Sequence, residues 1–322
     1  MTSFKCFFAS FLWIKPPLAI YTLSCIYYLC YDLLKILLYF IYTYRAIKIV
    51  SGGRWCWLIV LVKDPGYYKK LSSKQIELLL VLYRFRFVST DLVAELLGKD
   101  RSTIYESFYN LEKQDYIQKF YEKSYNLLGR PAIYCLAAKG IRFLRDNTEI
   151  DEKRLRNYYK NKSADNELID KYMYVFKVFL KLRRQFGDRF NIHTRADMNK
   201  EAFPNPLPEL WLERKQEDSE GLDYVLDIFP ALIPSWLLRR RVRQYQDFED
   251  ESEYESSHVL CICGNESTEK RLFKLVYENY NEFNFYLTQK ELFDSGEDDI
   301  CIDTEQADED EIERVSLDNI AM

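Results

Sequence analysis

The chain has 322 residues, of which 48% are hydrophobic and 16% aromatic. This composition excludes a wholly disordered chain, and the length allows two domains and a tail. The formal net charge is -5, but the charge is unevenly distributed. Residues 71–147 carry twelve basic and nine acidic side chains, whereas the last 32 residues carry one basic and thirteen acidic ones. The acidic total does not exclude a nucleic-acid partner, because the local field governs association.

Cysteine and histidine usage argues against a zinc site, a disulfide framework and histidine-based catalysis. The eight cysteines form no C-x-x-C pair, and only two histidines, His193 and His258, are present. Reduced, buried thiols in a cytoplasmic protein are the expectation that follows. Two such distant histidines also exclude the two-histidine strand motif of the commonest DNA-nicking relaxases.

Residues 1–66 are predicted to form a hydrophobic, helical N-terminal segment. Its apolar stretch, residues 16–44, is long enough to cross a bilayer, although Asp32 and Lys35 interrupt it. Basic residues after it would keep the rest of the chain at the inner, cytoplasmic face of the membrane. Two alternatives stand beside this anchor: a helix pair lying on a membrane or partner, and translation from a wrongly chosen start.

Residues 67–147 have the pattern of three short helices, a β-hairpin and a closing helix. A capping box at Ser72 and Gln75 begins the first helix, Ser89 begins the second, and Gly98 ends it. Asp100 begins the third helix. The strand-like runs YIQKFYEK and PAIYCLAA, joined by SYNLLGR, predict the hairpin. This order of elements predicts a winged helix-turn-helix DNA-binding domain.

The third helix is predicted to read DNA. Ile104, Phe108 and Leu111 fall on one stripe of it, so the opposite face is expected to meet solvent. Hydroxyl, amide and basic groups near a helix N-terminus suit phosphates and base edges of double-stranded DNA. The predicted DNA-binding residues, including two at the hairpin tip, are Arg101, Ser102, Thr103, Glu106, Tyr109, Asn110, Lys113, Asn126 and Arg130. A small α+β module that binds only protein is the alternative.

Beyond the winged helix the pattern predicts an α/β domain. Residues 148–190 are predicted as a linker and a long amphipathic helix, and residues 191–290 as strands alternating with helices. The strand-like segments are LWLERK, DYVLDIF, HVLCIC and FNFYL, and a helix, SWLLRRRVRQYQDFEDE, separates the second from the third. Residues 291–322 are predicted to be an acidic, disordered tail.

Glu209 and Asp227 are the candidate catalytic residues. Nucleases of the restriction-endonuclease type place an acid after a proline and an acid-x-Lys on the next strand, so that two carboxylates bind a divalent metal. Here Pro208 precedes Glu209, but Phe229 stands at the lysine position. A secondary basic helix, with Arg239, Arg240, Arg241 and Arg243, is expected to supply charge, and Gln244 and Tyr245 lie on the same helix. The alternative is that Asp227 only makes hydrogen bonds at a strand end and the arginines face solvent or phosphate.

The order of these parts resembles the replication-relaxation family of bacterial plasmids and other mobile elements. The resemblance covers about residues 71–290. Its motifs are the S-x-x-Q-x-x-x-L-x-x-L-Y helix, the pattern from Arg101 to Ile117, the Gly129-Arg130-Pro131 wing, L-A-A-K-G at 136–140, and the downstream P-E, L-D-I and R-x-x-x-Y block.

The resemblance implies a winged helix joined to a restriction-endonuclease-like domain, with a role in replication control or conjugative mobilisation. Carried over by position, the two acids would be Glu209 and Asp227, and the chain departs from the family in having Glu after the proline and Phe229 instead of lysine. We therefore expect a DNA-binding protein with a degenerate nuclease-like platform, no resident cofactor, and replication or transfer proteins or a second copy as further partners. The alternatives are a Mg²⁺- or Mn²⁺-dependent nickase and a membrane-tethered regulator.

Overall fold

The structure is a computed structural model, and it describes residues 44–51, 54–61, 71–120, 131–200, 203–215, 223–251, 258–279, 284–307 and 313–320. The chain divides into two compact units, Met1–Leu71 and Ser72–Met322. The fold is a mixture of helices and strands with one large sheet.

The described part of the first unit is a β-hairpin. Strand β1 (Tyr44–Ser51) pairs antiparallel with β2 (Arg54–Leu61), and the pairing of Ser51 with Arg54 leaves two residues between them, both glycine in the sequence. The prediction of a helical N-terminal segment therefore does not hold for these two stretches. Their isoleucines and valines favour strands, and a Gly-Gly pair suits a two-residue hairpin turn.

The predicted membrane-anchoring stretch, residues 16–44, lies outside the described residues except for Tyr44. Among the helices that the structure describes, none is both long enough and apolar enough to span a bilayer.

The second unit begins with two helices whose ends confirm the predicted caps. Helix α1 (Ser73–Phe85) starts at Ser72, whose side chain accepts from the Gln75 N–H while the Gln75 side chain accepts from the Ser72 N–H. A two-residue strand, β3 (Val88–Ser89), leads into helix α2 (Thr90–Leu97). Gly98 ends α2 in the left-handed conformation at φ 59°, which favours glycine at this position.

A third helix and a small sheet complete this part of the unit. Helix α3 (Arg101–Lys113) begins after Asp100, but the Asp100 side chain makes no capping hydrogen bond. Strands β4 (Ile117–Phe120) and β5 (Ile133–Leu136) form the predicted antiparallel hairpin, and β3 adds to it in the order β3-β5-β4. Helix α4 (Ala138–Asn147) follows. The hairpin tip, residues 121–130, lies outside the described residues.

Residues 148–190, predicted as a linker and a long amphipathic helix, form short helices and then one long helix that packs on both the winged-helix part and the large sheet. Helix α5 (Glu152–Leu155) and a 3-10 helix (Arg156–Ser163) precede the long helix α6 (Asn166–Phe186). Helix α6 buries ten side chains, because its apolar residues extend round more than one face. On one side Phe176 stacks on Phe85 of α1 with ring centroids 3.8 Å apart. Near the end of α6, Phe186 packs against the first strand of the large sheet, at Phe190.

The large sheet has seven described strands in the order β12-β11-β10-β9-β8-β7-β6. The strands are β6 (Phe190–Thr194), β7 (Leu210–Arg214), β8 (Tyr224–Phe229), β9 (His258–Cys263), β10 (Phe285–Gln289), β11 (Asp299–Asp303) and β12 (Arg314–Ser316). Strands β6, β7 and β8 form an antiparallel meander, whereas β8, β9 and β10 are parallel. This is the predicted mixed sheet, with three further strands, β6, β11 and β12, that the sequence interpretation missed.

Helices cover both faces of the sheet. Helix α7 (Ser235–Glu251) connects β8 to β9, and helix α8 (Glu266–Asn279) connects β9 to β10. Their apolar side chains pack with Val225, Phe229, Cys261 and Leu287 on one face. Alternate strand residues point the other way; Tyr224, for example, contacts Phe190, which in turn contacts Phe186 of α6.

The prediction that residues 291–322 form a disordered tail is wrong for the described part of that segment. Helix α9 (Lys290–Ser295), strands β11 and β12 and helix α10 (Leu317–Ile320) lie there, and Ile300, Cys301 and Ile302 are buried. Backbone pairing with β10 and burial of three apolar side chains outweigh the acidic composition of the segment.

Candidate nucleic-acid interface and acid pair

Helix α3 has one buried and one exposed face, as its sequence predicts. Ile104, Phe108 and Leu111 are at most 2% exposed, and the Phe108 ring lies 4.6 Å from the Tyr134 ring of β5. This packing holds the helix on the small sheet. The opposite face presents to solvent all seven α3 residues predicted to bind DNA: Arg101, Ser102, Thr103, Glu106, Tyr109, Asn110 and Lys113.

Two exposed tyrosines dominate this face, and only one of them was in the predicted set. Tyr105 is 50% exposed and Tyr109 is 54% exposed, and the Lys113 ammonium lies 6.0 Å from the Tyr109 ring centroid. Helical spacing could have identified Tyr105, because it lies four residues before Tyr109 and therefore on the same side. The α3 face thus offers hydroxyl, amide, basic and aromatic groups within four turns.

One of the predicted DNA-binding side chains, Arg101, forms an ion pair on the protein surface. The Arg101 Nε donates to Oδ1 of Asp91 at 2.8 Å, and both side chains are largely exposed. Such a surface pair is worth about 0–1 kcal/mol, so a phosphate can compete for Arg101 at little cost. Asn126 and Arg130 lie outside the described residues.

Glu209 lies next to β8, the strand that carries Asp227, and it is held by two cations. Its backbone N–H donates to the Leu226 carbonyl at 2.8 Å. Its Oε1 lies 2.6 Å from the Lys171 ammonium and 3.0 Å from Arg195 Nη2, while the Glu209 residue is only 2% exposed. The other oxygen, Oε2, is buried and has no hydrogen-bond partner among the described residues.

Asp227 is held by the basic helix itself. Arg241 donates from Nε to Asp227 Oδ2 at 2.5 Å, and the Tyr245 hydroxyl donates to the same oxygen at 2.7 Å. Asp227 is 5% exposed and Arg241 9%. Burial opposes the charge of Arg241, but the carboxylate of Asp227 outweighs it and raises the pKa of the guanidinium. Burial, together with Asp227, raises the pKa of Tyr245 well above its usual value.

The arginines of the basic helix are therefore divided between its buried face and its exposed face. Arg241 and Tyr245 point towards the sheet, where Arg241 brings a positive charge to Asp227. Arg239, Arg240 and Arg243, the predicted secondary basic set, are exposed. Phe229, at the position where a nuclease lysine was sought, is 5% exposed and belongs to the core between the sheet and the helices.

Both acids line one cavity of about 420 Å³ at the end of β8. Four cationic side chains line it as well: Lys171, Arg195, Arg240 and Arg241. Sequence interpretation missed Lys171 and Arg195, which come from α6 and from the residue after β6. No local pattern identifies them, because they lie 38 and 14 positions before Glu209 in the chain.

These residues do not fit the divalent metal that the family resemblance implies. Each carboxylate already contacts at least one cation, and the cavity has an excess of positive charge, which disfavours a further cation. Among the described residues, no group of three or more histidine, cysteine, aspartate or glutamate side chains is arranged to hold a metal ion.

Comparisons with known proteins identify no family. No family model matches the chain, and no curated protein matches it. Among solved structures, the chain is similar to substituted variants of ZitR from Lactococcus lactis. One variant in apo form is 17% identical and covers 36% of this chain and 83% of its own, with a TM-score of 0.22. Another is 15% identical and covers 50% of this chain and 97% of its own, with a TM-score of 0.23. These scores are too low to assign a fold or a function.

Proposed function

We propose that the chain is a DNA-binding protein that contacts double-stranded DNA through the exposed face of α3. The observation that carries the proposal is the division of α3 into a stripe packed on the small sheet and a face of seven exposed residues. Three helices, a three-stranded antiparallel sheet and a closing helix follow one another as in a winged helix. In that arrangement the third helix is the element that enters the major groove.

The local charge is compatible with this role. Residues 71–147 carry an excess of about three positive charges although the whole chain is acidic. Lys113 is exposed at the last turn of α3, where it can reach a phosphate, and Ser102 and Thr103 are exposed at the first turn. Phosphate contacts supply affinity, and polar side chains along the groove supply selectivity.

We further propose that the protein acts in replication control or mobilisation of a plasmid or another mobile element. The support is the sequence resemblance together with the position of the acid pair: both acids line one cavity, Glu209 directly before β7 and Asp227 within β8. In this proposal the α/β part is a second platform for DNA or for a replication or transfer protein, because cations hold both acids.

The experiment is a titration of fluorescein-labelled duplex DNA, followed by fluorescence anisotropy. Replacing Ser102, Thr103 and Lys113 together by alanine removes one charge and two hydroxyls from α3 and is expected to weaken binding strongly. A matched control replaces Ser163, Thr148 and Lys160, three polar or basic residues away from α3, by alanine. It is expected to bind DNA as the original protein does. Equal affinities of the α3 variant and the control would refute the proposed function.

A metal-dependent nickase is the second candidate function. The shared cavity of Glu209 and Asp227 favours it, and the cations that occupy both carboxylates oppose it. Incubation of supercoiled plasmid with the protein and Mg²⁺ or Mn²⁺ tests it, since nicking relaxes the plasmid.

A further inference from the structure

The exposed face of helix α7 is cationic and carries an exposed aromatic ring. Trp236, Arg239, Arg240 and Arg243 recur at spacings of three and four residues and therefore share one side of the helix. Trp236 is 62% exposed, and the three arginines are exposed. The opposite side, with Leu238, Arg241, Val242 and Tyr245, is buried against the sheet.

Among the residues whose side chains the structure describes, none is paired with the three arginines of this face. No ion pair or hydrogen bond links Arg239, Arg240 or Arg243 to another residue within the described ranges. Asp247, four residues after Arg243, is exposed on the same stripe, and the helix sequence ends with Glu249, Asp250 and Glu251, so the positive charge belongs to the first half of the helix. A surface with this positive charge is electrostatically complementary to a polyanion.

Hydrogen bonds to neighbouring elements hold the backbone of the loop before α7, residues 230–234. The Thr268 hydroxyl donates to the Ala231 carbonyl at 3.0 Å, Arg271 donates to the Ile233 carbonyl at 2.8 Å, and the Gly264 N–H donates to the Phe229 carbonyl at 2.8 Å. Leu232, in the same loop, is 92% exposed. Because the loop backbone is tied down, a ligand that packs on these side chains has less ordering to undergo.

Arg240 joins this face to the acid-pair cavity. It lines the cavity of about 420 Å³ together with Gln244 and Glu209, and this volume lies within the range of roughly 300–1,000 Å³ that is common for ligand pockets. Glu209 Oε2 is a buried hydrogen-bond acceptor without a described partner. A cavity with such an acceptor suits a ligand that brings N–H or O–H donors, such as a nucleobase edge, better than a lipid chain.

We propose that the α7 face binds an unpaired stretch of DNA, with the arginines on its phosphates and a base stacked on Trp236. Aromatic side chains bind nucleic acid by stacking, and the faces of bases inside a duplex are already covered by their neighbours. An exposed indole beside a cationic helix face therefore selects bases that are unpaired. The inference rests on the proposed function for its class of ligand, and it adds a second site with a different form of DNA.

The test compares three labelled oligonucleotides of one sequence by fluorescence anisotropy: single-stranded DNA, RNA and the blunt duplex. Trp236→Ala is expected to weaken binding of single-stranded DNA at least about fivefold, the lower bound for loss of one stacked base. Trp236→Phe is expected to restore most of it. Replacement of Arg239, Arg240 and Arg243 by alanine is expected to weaken it further and to reduce its salt dependence.

Matched controls distinguish binding at this site from the general effect of removing an exposed ring or basic groups. Tyr159→Ala removes another exposed aromatic ring, and replacement of Lys153, Lys160 and Lys162 by alanine removes three other exposed basic groups. Neither is expected to alter binding of single-stranded DNA. Equal losses in the α7 variants and their controls would overturn the proposal, as would an unchanged affinity of Trp236→Ala.

Further arms of the experiment distinguish unpaired DNA from RNA, from an anionic membrane and from duplex DNA bound at α3. Tighter binding of RNA than of DNA would overturn the assignment to DNA. Vesicles containing anionic lipid, bound in a Trp236-dependent way while the oligonucleotides are not, would overturn it in favour of a membrane surface. The α3 variant is expected to lose duplex binding and keep single-strand binding. If instead it keeps duplex binding while Trp236→Ala loses single-strand binding, the proposed α3 function fails and this inference stands.

Discussion

Arg241 and Asp227 form a buried ion pair between helix α7 and the centre of the large sheet, with Arg241 Nε 2.5 Å from Asp227 Oδ2. Tyr245, one helical turn further on, donates to the same carboxylate oxygen. A residue pattern that suggested metal chemistry thus contributes to the attachment of a helix to its sheet. Arg241 Nη1 also donates to the Pro206 carbonyl and so ties the proline-rich segment before β7 to the same point.

Arg241→Ala is expected to destabilise the protein by about 3–5 kcal/mol, because it leaves the Asp227 charge buried without its cation. Urea unfolding followed by circular dichroism measures the change. Arg240→Ala, at the neighbouring exposed position, is the control and is expected to change stability by less than about 0.5 kcal/mol. Similar losses for both variants would show that the buried pair has no special role.

Replacing both members of the pair is expected to cost less than the single change. In a variant with Arg241→Met and Asp227→Leu no charge is left unpaired, and apolar groups fill the space. Together with the single variants Arg241→Met and Asp227→Leu, it completes a double-mutant cycle, which is expected to report a coupling energy of about 0.5–3 kcal/mol. Strictly additive effects would contradict the pairing.

Phe176→Ala is expected to cost about 3–5 kcal/mol, because Phe176 is fully buried in a ring stack between α6 and α1. If the winged-helix part and the sheet share this core, tryptophan fluorescence and circular dichroism should report one common urea transition in the original protein. Lys177→Ala, at the adjacent exposed position, is the control. Two separated transitions in the original protein would contradict a single unit.

His258 is expected to make the protein less stable as the pH falls below about 6.5. Burial lowers the pKa of His258 from 6.5, although Asp303 opposes the shift. The unfolded chain therefore binds the proton more readily than the folded one, so the penalty is absent above pH 6.5 and grows as the pH drops towards the folded pKa. His258→Gln should show a smaller decrease of the unfolding free energy over this window. An identical pH dependence in both proteins would rule out the contribution.

No metal-dependent nicking that depends on the acid pair is expected. Lys171, Arg195 and Arg241 already contact the carboxylates of Glu209 and Asp227. Supercoiled plasmid incubated with Mg²⁺ or Mn²⁺ should therefore show the same topology with the original protein and with Glu209→Gln. Relaxation by the original protein that the folded Glu209→Gln variant lacks would establish the nickase instead.

Local signals in the sequence predict most of the described helices and strands. The capping box at Ser72 and the glycine at position 98 act through neighbouring backbone groups, so the sequence alone specifies them. Strand β6 was also readable, because Phe190, Ile192 and Thr194 alternate with more exposed residues. It was missed because it is short and directly follows a long helical pattern.

Contacts between segments that are distant in the chain could not be predicted from such local signals. The acidic residues around Ile300 and Ile302 conceal two buried positions, and only pairing with β10 reveals β11 as a strand. The partners of Glu209 come from two other elements, so the acid pair could be located by its spacing while its neutralisation by Lys171 and Arg195 could not.

The salt dependence of duplex binding tests the role of α3 most directly. Lys113→Ala is expected to weaken binding and to reduce the slope of log affinity against log salt by about 1, because one phosphate contact is lost. Lys160→Ala, an exposed lysine away from α3, is expected to leave the slope unchanged. An unchanged slope and affinity in Lys113→Ala would contradict the account that this helix faces the DNA.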